Sequence, residues 1–238
     1  MPQPVIEVKN LKYKFDDFVA LYNVSFKIYR GDIIAIIGPN GSGKTTLLKN
    51  LIGIYKPTAG EIKIKGKNPR SVLKDIGYVP QRFDFDKTIP ITVKEFMSLE
   101  RCNKFSHSCK NINKALWEVG LKKVEDMQLG ALSSGQLQRV MIARVLLHEK
   151  DILIFDEPST GIDMSGEQTI YDLIEKINKE KNTTCIIVSH ELNVVNKYAK
   201  QVVCLNKKMV CFGSPERVIT PETLKKLYGV GAGLYHSH

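Results

Sequence analysis

The chain has 238 residues, 43% of them hydrophobic and 25% charged, and a formal net charge of +10. That is a globular composition with enough apolar residues for a sizeable core, and no apolar run approaches the roughly 20 residues that span a bilayer. Five cysteines without a CxxC pair suit a reducing compartment better than a disulfide framework.

Residues 5–35 read as strands, ending after the Gly31-Asp32 turn in the buried run Ile33 to Ile37. The start of the chain, MPQPVIEVKN, has no long apolar stretch of the secretory kind. A loop and a helix over Gly43 to Gly53 come next, then a short strand in TAGEIKIKGK and another over residues 72–82, ending at Gln81. The character changes near Pro90. Residues 92–147 hold helical segments in TVKEFMSLER, NINKALWEVG and ALSSGQLQRVMIARVLL. In the last of these, Val140, Ile142, Ala143, Leu146 and Leu147 recur at helical spacing and require burial. Strands and helices then alternate: DILIFDE, a helix over Ser165 to Lys179, TTCIIVSH, ELNVVNKYA, QVVCLN and KMVCFG. Two short helices follow, around PERVI and PETLKKLYG. The reading is an α/β fold: a core with a mainly parallel sheet (1–90 and 148–238), an N-terminal antiparallel β part and an inserted helical lobe (91–147).

GPNGSGKT, Gly38 to Thr45, follows an apolar strand and opens a helix, the context of a phosphate-binding P-loop. Gly38, Pro39, Asn40, Gly41, Ser42 and Gly43 give a backbone that can curl its N–H groups inward around an anion, and the helix N-terminus adds positive potential. Lys44 is expected to reach the terminal phosphates, and the Thr45 hydroxyl to ligate Mg²⁺, with Thr46 beside it. In ILIFDEP a buried strand ends in Asp156 and Glu157. Such a strand end lies beside the P-loop, so Asp156 can hold Mg²⁺ and Glu157 can act as general base on the attacking water. His190 closes another strand and can contact the γ-phosphate; Gln81 can sense Mg²⁺ or water, or simply cap a backbone group.

GPNGSGKTT, Gln81, LSSGQ, LIFDEPSTGID and SH stand in the order found in ATP-binding subunits of ABC transporters, which nearly the whole chain resembles. The resemblance implies an ATPase core with a helical lobe, ATP and Mg²⁺ as ligands, and a head-to-tail homodimer bridged by ATP. It also implies that Ser133, Ser134, Gly135 and Gln136 form a signature loop that covers the nucleotide of the other subunit, with Asp163 ending the loop that crosses the dimer. Phe15 aligns with the aromatic that stacks on adenine, with Tyr13 as the alternative. Ser134 stands where the family most often has glycine, and its small side chain is expected to be tolerated.

Residues 204–229 resemble the zinc, manganese and iron-chelate importer ATPases, the zinc/manganese branch most closely. The implied function is the ATP-hydrolysing subunit of a transition-metal importer at the cytoplasmic face of the membrane. Its expected partners are permease subunits and, indirectly, an external solute-binding protein, with no nucleic acid. The alternatives are an iron-chelate or cobalamin importer ATPase and a soluble ABC ATPase acting on nucleic acid or ribosomes. Scattered lysines without interleaved aromatics fit solvated faces or a lipid-adjacent partner better than nucleic acid. The segment RFDFDKTIPITV offers Phe83 and Phe85 either as a groove for a permease helix or as lobe core. Cys102, His107 and Cys109 match no zinc spacing; His236 and His238 resemble the histidine-rich ends common in the zinc/manganese branch or read as a solvated tail, dispensable or at most regulatory.

Overall fold

A computed structural model describes residues 2–100 and 111–229. Cys102, His107, Cys109, His236 and His238 lie outside the described residues. The chain opens with two antiparallel strands, β1 (Ile6–Phe15) and β2 (Phe18–Ile28), joined by a tight turn at Asp16 and Asp17. β4 (Ala59–Ile64) pairs with the other side of β1, giving a small sheet of order β2-β1-β4.

The larger sheet has the order β5-β6-β7-β3-β8-β9. Its strands are β3 (Ile33–Ile37), β5 (Ile76–Val79), β6 (Ile152–Asp156), β7 (Thr184–Val188), β8 (Gln201–Asn206) and β9 (Lys208–Gly213). All neighbours are parallel except β8 and β9. β3, β6 and β7 are buried at every position, which explains their unbroken apolar runs: alternate side chains enter cores on opposite faces. Thus Ile34 and Ile36 pack with Leu47, Leu48 and Leu51 of α1 (Lys44–Leu51), while Ala35 and Ile37 face Val202, Cys204 and Leu227.

The expected strand over 72–82 is shorter. Residues Pro69–Asp75 form a 3₁₀ turn capped by the Asn68 side chain, which accepts from Arg70 N, and only Ile76–Val79 joins the sheet. Pro69 favours the turn start, and Gln81 lies two residues past the strand.

Between β5 and β6 come α2 (Val93–Ser98), α3 (Ile112–Glu118) and α4 (Ser134–Val145). Their apolar faces, including Phe96, Met97, Leu116, Val140 and Ile142, join Val79, Leu153 and Phe155 of the sheet in one core. Phe83 and Phe85 are half-buried against that core, 5.5 Å apart, with Phe83 5.1 Å from Phe96. Both pack against the lobe core. After β6 come α5 (Met164–Lys181), α6 (Leu192–Tyr198), α7 (Pro215–Val218) and α8 (Pro221–Tyr228). Among the described residues no helix is long and apolar enough to cross a membrane.

Cys204 and Cys211 differ from the reduced thiols expected. They are register partners across β8 and β9 with Cα atoms 4.8 Å apart, and they form a disulfide. Their sequence spacing of 7 carries no sign of this, because the antiparallel hairpin alone makes them face each other.

Candidate functional site

The strand order brings the ends of β3, β7, β6 and β5 side by side, so that residues far apart in sequence meet at one edge. An open cleft of about 780 Å³ lies there, lined by the whole of Gly38 to Thr46 together with Phe15, Gln81, Glu157 and His190.

The loop geometry depends on two glycines. Gly43, the residue before α1, has φ +99°, and a Cβ there would stand 2.8 Å from the Ala20 carbonyl oxygen. At Gly38 a Cβ would overlap the Leu205 carbonyl oxygen, because β8 runs directly behind the loop. Lys44 is buried and donates to the carbonyl oxygens of Gly38 at 2.8 Å and Pro39 at 3.1 Å. Burial lowers its pKa, while the nearby Glu157 and Asp156 carboxylates act in the opposite direction. The amine therefore rests on weak backbone acceptors in a desolvated site, and an anion entering the loop would be a stronger partner. Ser42 Oγ is buried beside it with no hydrogen-bond partner.

β6 delivers Asp156 at its last position, 4% exposed, where Oδ2 accepts from the Tyr78 hydroxyl at 3.2 Å. Burial raises the Asp156 pKa; the Tyr78 hydrogen bond opposes this. The Tyr78 pKa is itself pushed well up, by burial first and by Asp156 second, so the phenol remains a neutral donor. A cation beside Asp156 would offset the cost of an ionised buried carboxylate. Asp156 and the hydroxyl of exposed Thr45 are hard oxygen donors of the kind Mg²⁺ takes, so this donor set fits that ion.

Glu157 is one of the few non-glycine residues in the left-handed region, at φ +46°. The conformation turns the chain sharply at the end of β6, aims the side chain into the cleft and leaves the backbone N–H on Val188 O at 3.1 Å. Glu157 Oε2 accepts from Gln81 Nε2 at 2.7 Å and stands 3.9 Å from His190 Nδ1. Three residues from three strand ends thus meet around one carboxylate oxygen. Gln81 spends its amide nitrogen on this acid rather than on a backbone group.

Phe15 is 40% exposed and borders the cleft, meeting Tyr13 edge-on at 4.9 Å. Tyr13 does not border it; Tyr13 is stacked on Tyr55 at 4.9 Å and packs on the core. The sequence reading missed Phe18, Ala20 and Tyr228, which also line the cleft. Phe18 is the register partner of Phe15, so the short Asp16-Asp17 turn was an available signal for it. Tyr228 had none.

Ser133, Ser134, Gly135 and Gln136 are not among the residues lining the cleft. Ser133 caps α4 in a reciprocal capping box with Gln136: Gln136 N donates to Ser133 Oγ at 3.2 Å and Ser133 N donates to Gln136 Oε1 at 3.0 Å. Ser134 is exposed at the first helical position, so its Cβ meets no crowding from its own chain. A Cβ at Gly135 would make only an ordinary contact with Ile162. Asp163 caps α5 by accepting from Gly166 N at 3.2 Å and is exposed.

Comparison with known proteins identifies the family. A family profile described as "ABC transporter" matches residues 21–160. A probable metal transport system ATP-binding protein from Thermotoga maritima is 40% identical over 94% of this chain and 90% of its own length. The zinc import ATP-binding protein ZnuC of Haemophilus influenzae is 37% identical, over 99% of this chain and 86% of its own. Among solved structures, cbiO1 from Clostridium perfringens, part of the ABC transporter complex cbiONQ, superimposes with a TM-score of 0.80 at 30% identity, covering 94% of this chain and 93% of that one. A family profile spanning the P-loop and the strand-end acids, with relatives of this similarity over nearly the full length, leads to one assignment: the chain belongs to the ABC transporter family, as an ATP-binding subunit.

Proposed function

We propose that this chain is the ATP-hydrolysing subunit of a transition-metal importer, with zinc or manganese as the cargo and Glu157 as the general base. The observation that carries the catalytic part is the convergence of Gln81, His190 and Glu157 within hydrogen-bonding or ion-pair reach beside the P-loop. Names of the relatives support the cargo, since they describe zinc import and metal transport. They do not favour an iron-chelate ATPase or a soluble ATPase acting on nucleic acid.

In this reading the P-loop N–H groups and Lys44 hold the phosphates, and Lys44 leaves Gly38 O and Pro39 O to do so. Thr45 and Asp156 would hold Mg²⁺, with Gln81 near it; the ion would neutralise charge on the β- and γ-oxygens. Glu157 takes the proton of the attacking water, and Gln81, donating to Oε2, orients the acceptor oxygen. His190 contacts the γ-phosphate from β7, and Phe15 stacks on adenine. The whole chain works as one ATP-binding domain, with residues 91–147 as its signature lobe.

The signature residues lie on the surface, outside their own cleft, with the positive end of the 12-residue α4 directed from Ser133. This supports their acting on a second copy: Ser133 and Gly135 N–H groups meet the partner's γ-phosphate, Asp163 ends the crossing loop, and two ATP molecules bridge a head-to-tail dimer. Closing of that dimer drives permease subunits at the cytoplasmic membrane face, and hydrolysis resets it. Exposed Leu99, Trp117 and Met127 on the lobe, with Ile89 just before it, give apolar surface for that contact. An external solute-binding protein or the permease then selects the ion with nitrogen, sulfur or carboxylate ligands.

The test is uptake of zinc, manganese, ferric chelates and cobalamin in cells lacking the chain, with rescue by wild type and by Glu157→Gln. Loss of zinc or manganese uptake, rescued only by wild type, is expected. Unchanged uptake of both ions, with loss of another solute, refutes the cargo and leaves the ATPase reading standing.

A further inference from the structure

Glu157 is held differently on its two sides. Towards β6 its backbone N–H is tied to Val188 O. On the other side comes Pro158, which has no N–H to donate, so Ser159 is the next residue able to tie the chain down by its side chain. Ser159 is buried, and its hydroxyl lies 3.1 Å from the hydroxyl of Tyr171 on α5. Tyr171 is fully buried in the core shared by the lobe and the sheet, with its ring stacked at 5.9 Å on Tyr198. Close packing around the ring makes it a rigid anchor. Burial pushes the Tyr171 hydroxyl up to about 12, with the Ser159 and Ser189 side chains acting in the opposite direction, so the phenol stays neutral and can donate or accept.

The turn after Glu157 is built on Ser159. Thr160 N donates to Glu157 O at 3.2 Å, and Ile162 N donates to Ser159 O at 3.0 Å, so the two turns overlap. Thr160 Oγ1 stands 3.5 Å from Glu157 Oε2 and 3.5 Å from Gln81 Nε2. Its hydroxyl thus lies beside both the acid and the amide that orients the acid. The left-handed backbone at Glu157, φ +46°, persists only while both flanks hold it. Two buried hydroxyls satisfy each other only in one placement of the turn, because neither has water to fall back on.

We propose that Tyr171 is a positioning residue for hydrolysis: its hydrogen bond to Ser159 locks the turn that follows Glu157 and so fixes where the general base meets the attacking water. The proposal rests on the reading of Glu157 as that base. Tyr171 is not among the residues lining the cleft, and it acts on the reaction only through Ser159 and the turn.

Tyr171→Phe, Ser159→Ala and the double variant are compared with wild type in the full-length chain, by kcat, KM, Mg–ATP affinity and Tm. Each single change leaves one hydroxyl buried without its partner and should lower Tm; the double variant removes both hydroxyls and should recover most of that loss. By contrast, kcat should fall about twofold to tenfold in both single variants, the worth of one hydrogen bond, and should stay low in the double variant, with KM and affinity unchanged. Combined with Glu157→Gln, Tyr171→Phe should lower the residual kcat no further, since there is no base left to position. Recovery of kcat together with Tm in the double variant marks a purely structural pair and overturns the proposal. Wild-type kcat in Ser159→Ala overturns it as well. Undiminished hydrolysis by Glu157→Gln instead refutes the reading of the base, and the proposal with it, so the two failures are distinguishable.

Discussion

Replacing Glu157 by glutamine removes one proton acceptor and little else. The substitution keeps the length of the side chain, and the new amide oxygen can accept from Gln81 Nε2, so the 2.7 Å contact that orients the group survives. Backbone strain at φ +46° is the same for both side chains, since neither has a branched Cβ. The contact to His190, at 3.9 Å with the histidine side chain 63% exposed, is solvent-screened and adds little. The fold should therefore be unchanged and the whole effect should fall on chemistry. A positioned general base contributes about 10²- to 10⁴-fold, which is about 2.7–5.4 kcal/mol of barrier. Mg–ATP affinity should stay within about threefold of wild type, because the phosphate-binding groups are untouched. The assay is phosphate release at saturating Mg–ATP, paired with nucleotide titration and thermal melting. The stalled variant should also accumulate as a dimer by light scattering with ATP present. Hydrolysis within about tenfold of wild type at unchanged affinity and Tm would refute the role of Glu157.

Lys44→Ala should abolish detectable nucleotide binding by titration while leaving the Tm of the nucleotide-free chain unchanged or slightly higher, because a buried amine held only by two backbone carbonyls is removed. Mixed with Ser133→Arg chains, it should restore at most one intact composite site per dimer, read as ATPase activity against mixing ratio. Gly38→Ala should lose nucleotide binding, since its Cβ would overlap Leu205 O; near-normal affinity would show that the loop can move away from β8. Glu191 has its pKa raised from 4.5 to about 7, by burial first and then by a hydrogen bond and repulsion from Glu167. The folded chain thus holds a proton that the unfolded chain releases above about pH 4.5, so this group's contribution to stability falls as pH rises from about 4.5 to 7 and is flat above. Melting of Glu191→Gln against wild type should show the variant gaining on wild type across that window, and a pH-independent difference would contradict the carboxylate pair.

The P-loop was legible because its chemistry is local: Gly43, Lys44 and Thr45 act at fixed spacing on one turn between β3 and α1, and the apolar runs around them announce a strand and a helix. Asp156 and Glu157 were legible for the same reason, since an apolar run ending in acids marks a sheet edge. Helical spacing likewise gave the buried face of α4, where Val140, Ile142 and Ala143 are all fully buried. The extent of β5 was less legible, because the apolar residues Val72 and Leu73 read equally as strand or 3₁₀ turn until the cap at Asn68 decides.

What remained depends on pairing across the chain. Only the order β5-β6-β7-β3 brings Gln81, Glu157 and His190 together around one oxygen. Only the β8–β9 register sets Cys204 against Cys211, and only the packing of α8 on β8 carries Tyr228 to the cleft. Those contacts join residues through pairing and packing, and no local pattern encodes them. They exist because the sheet order and the burial of apolar faces such as Leu227 leave the chain one way to close its cores.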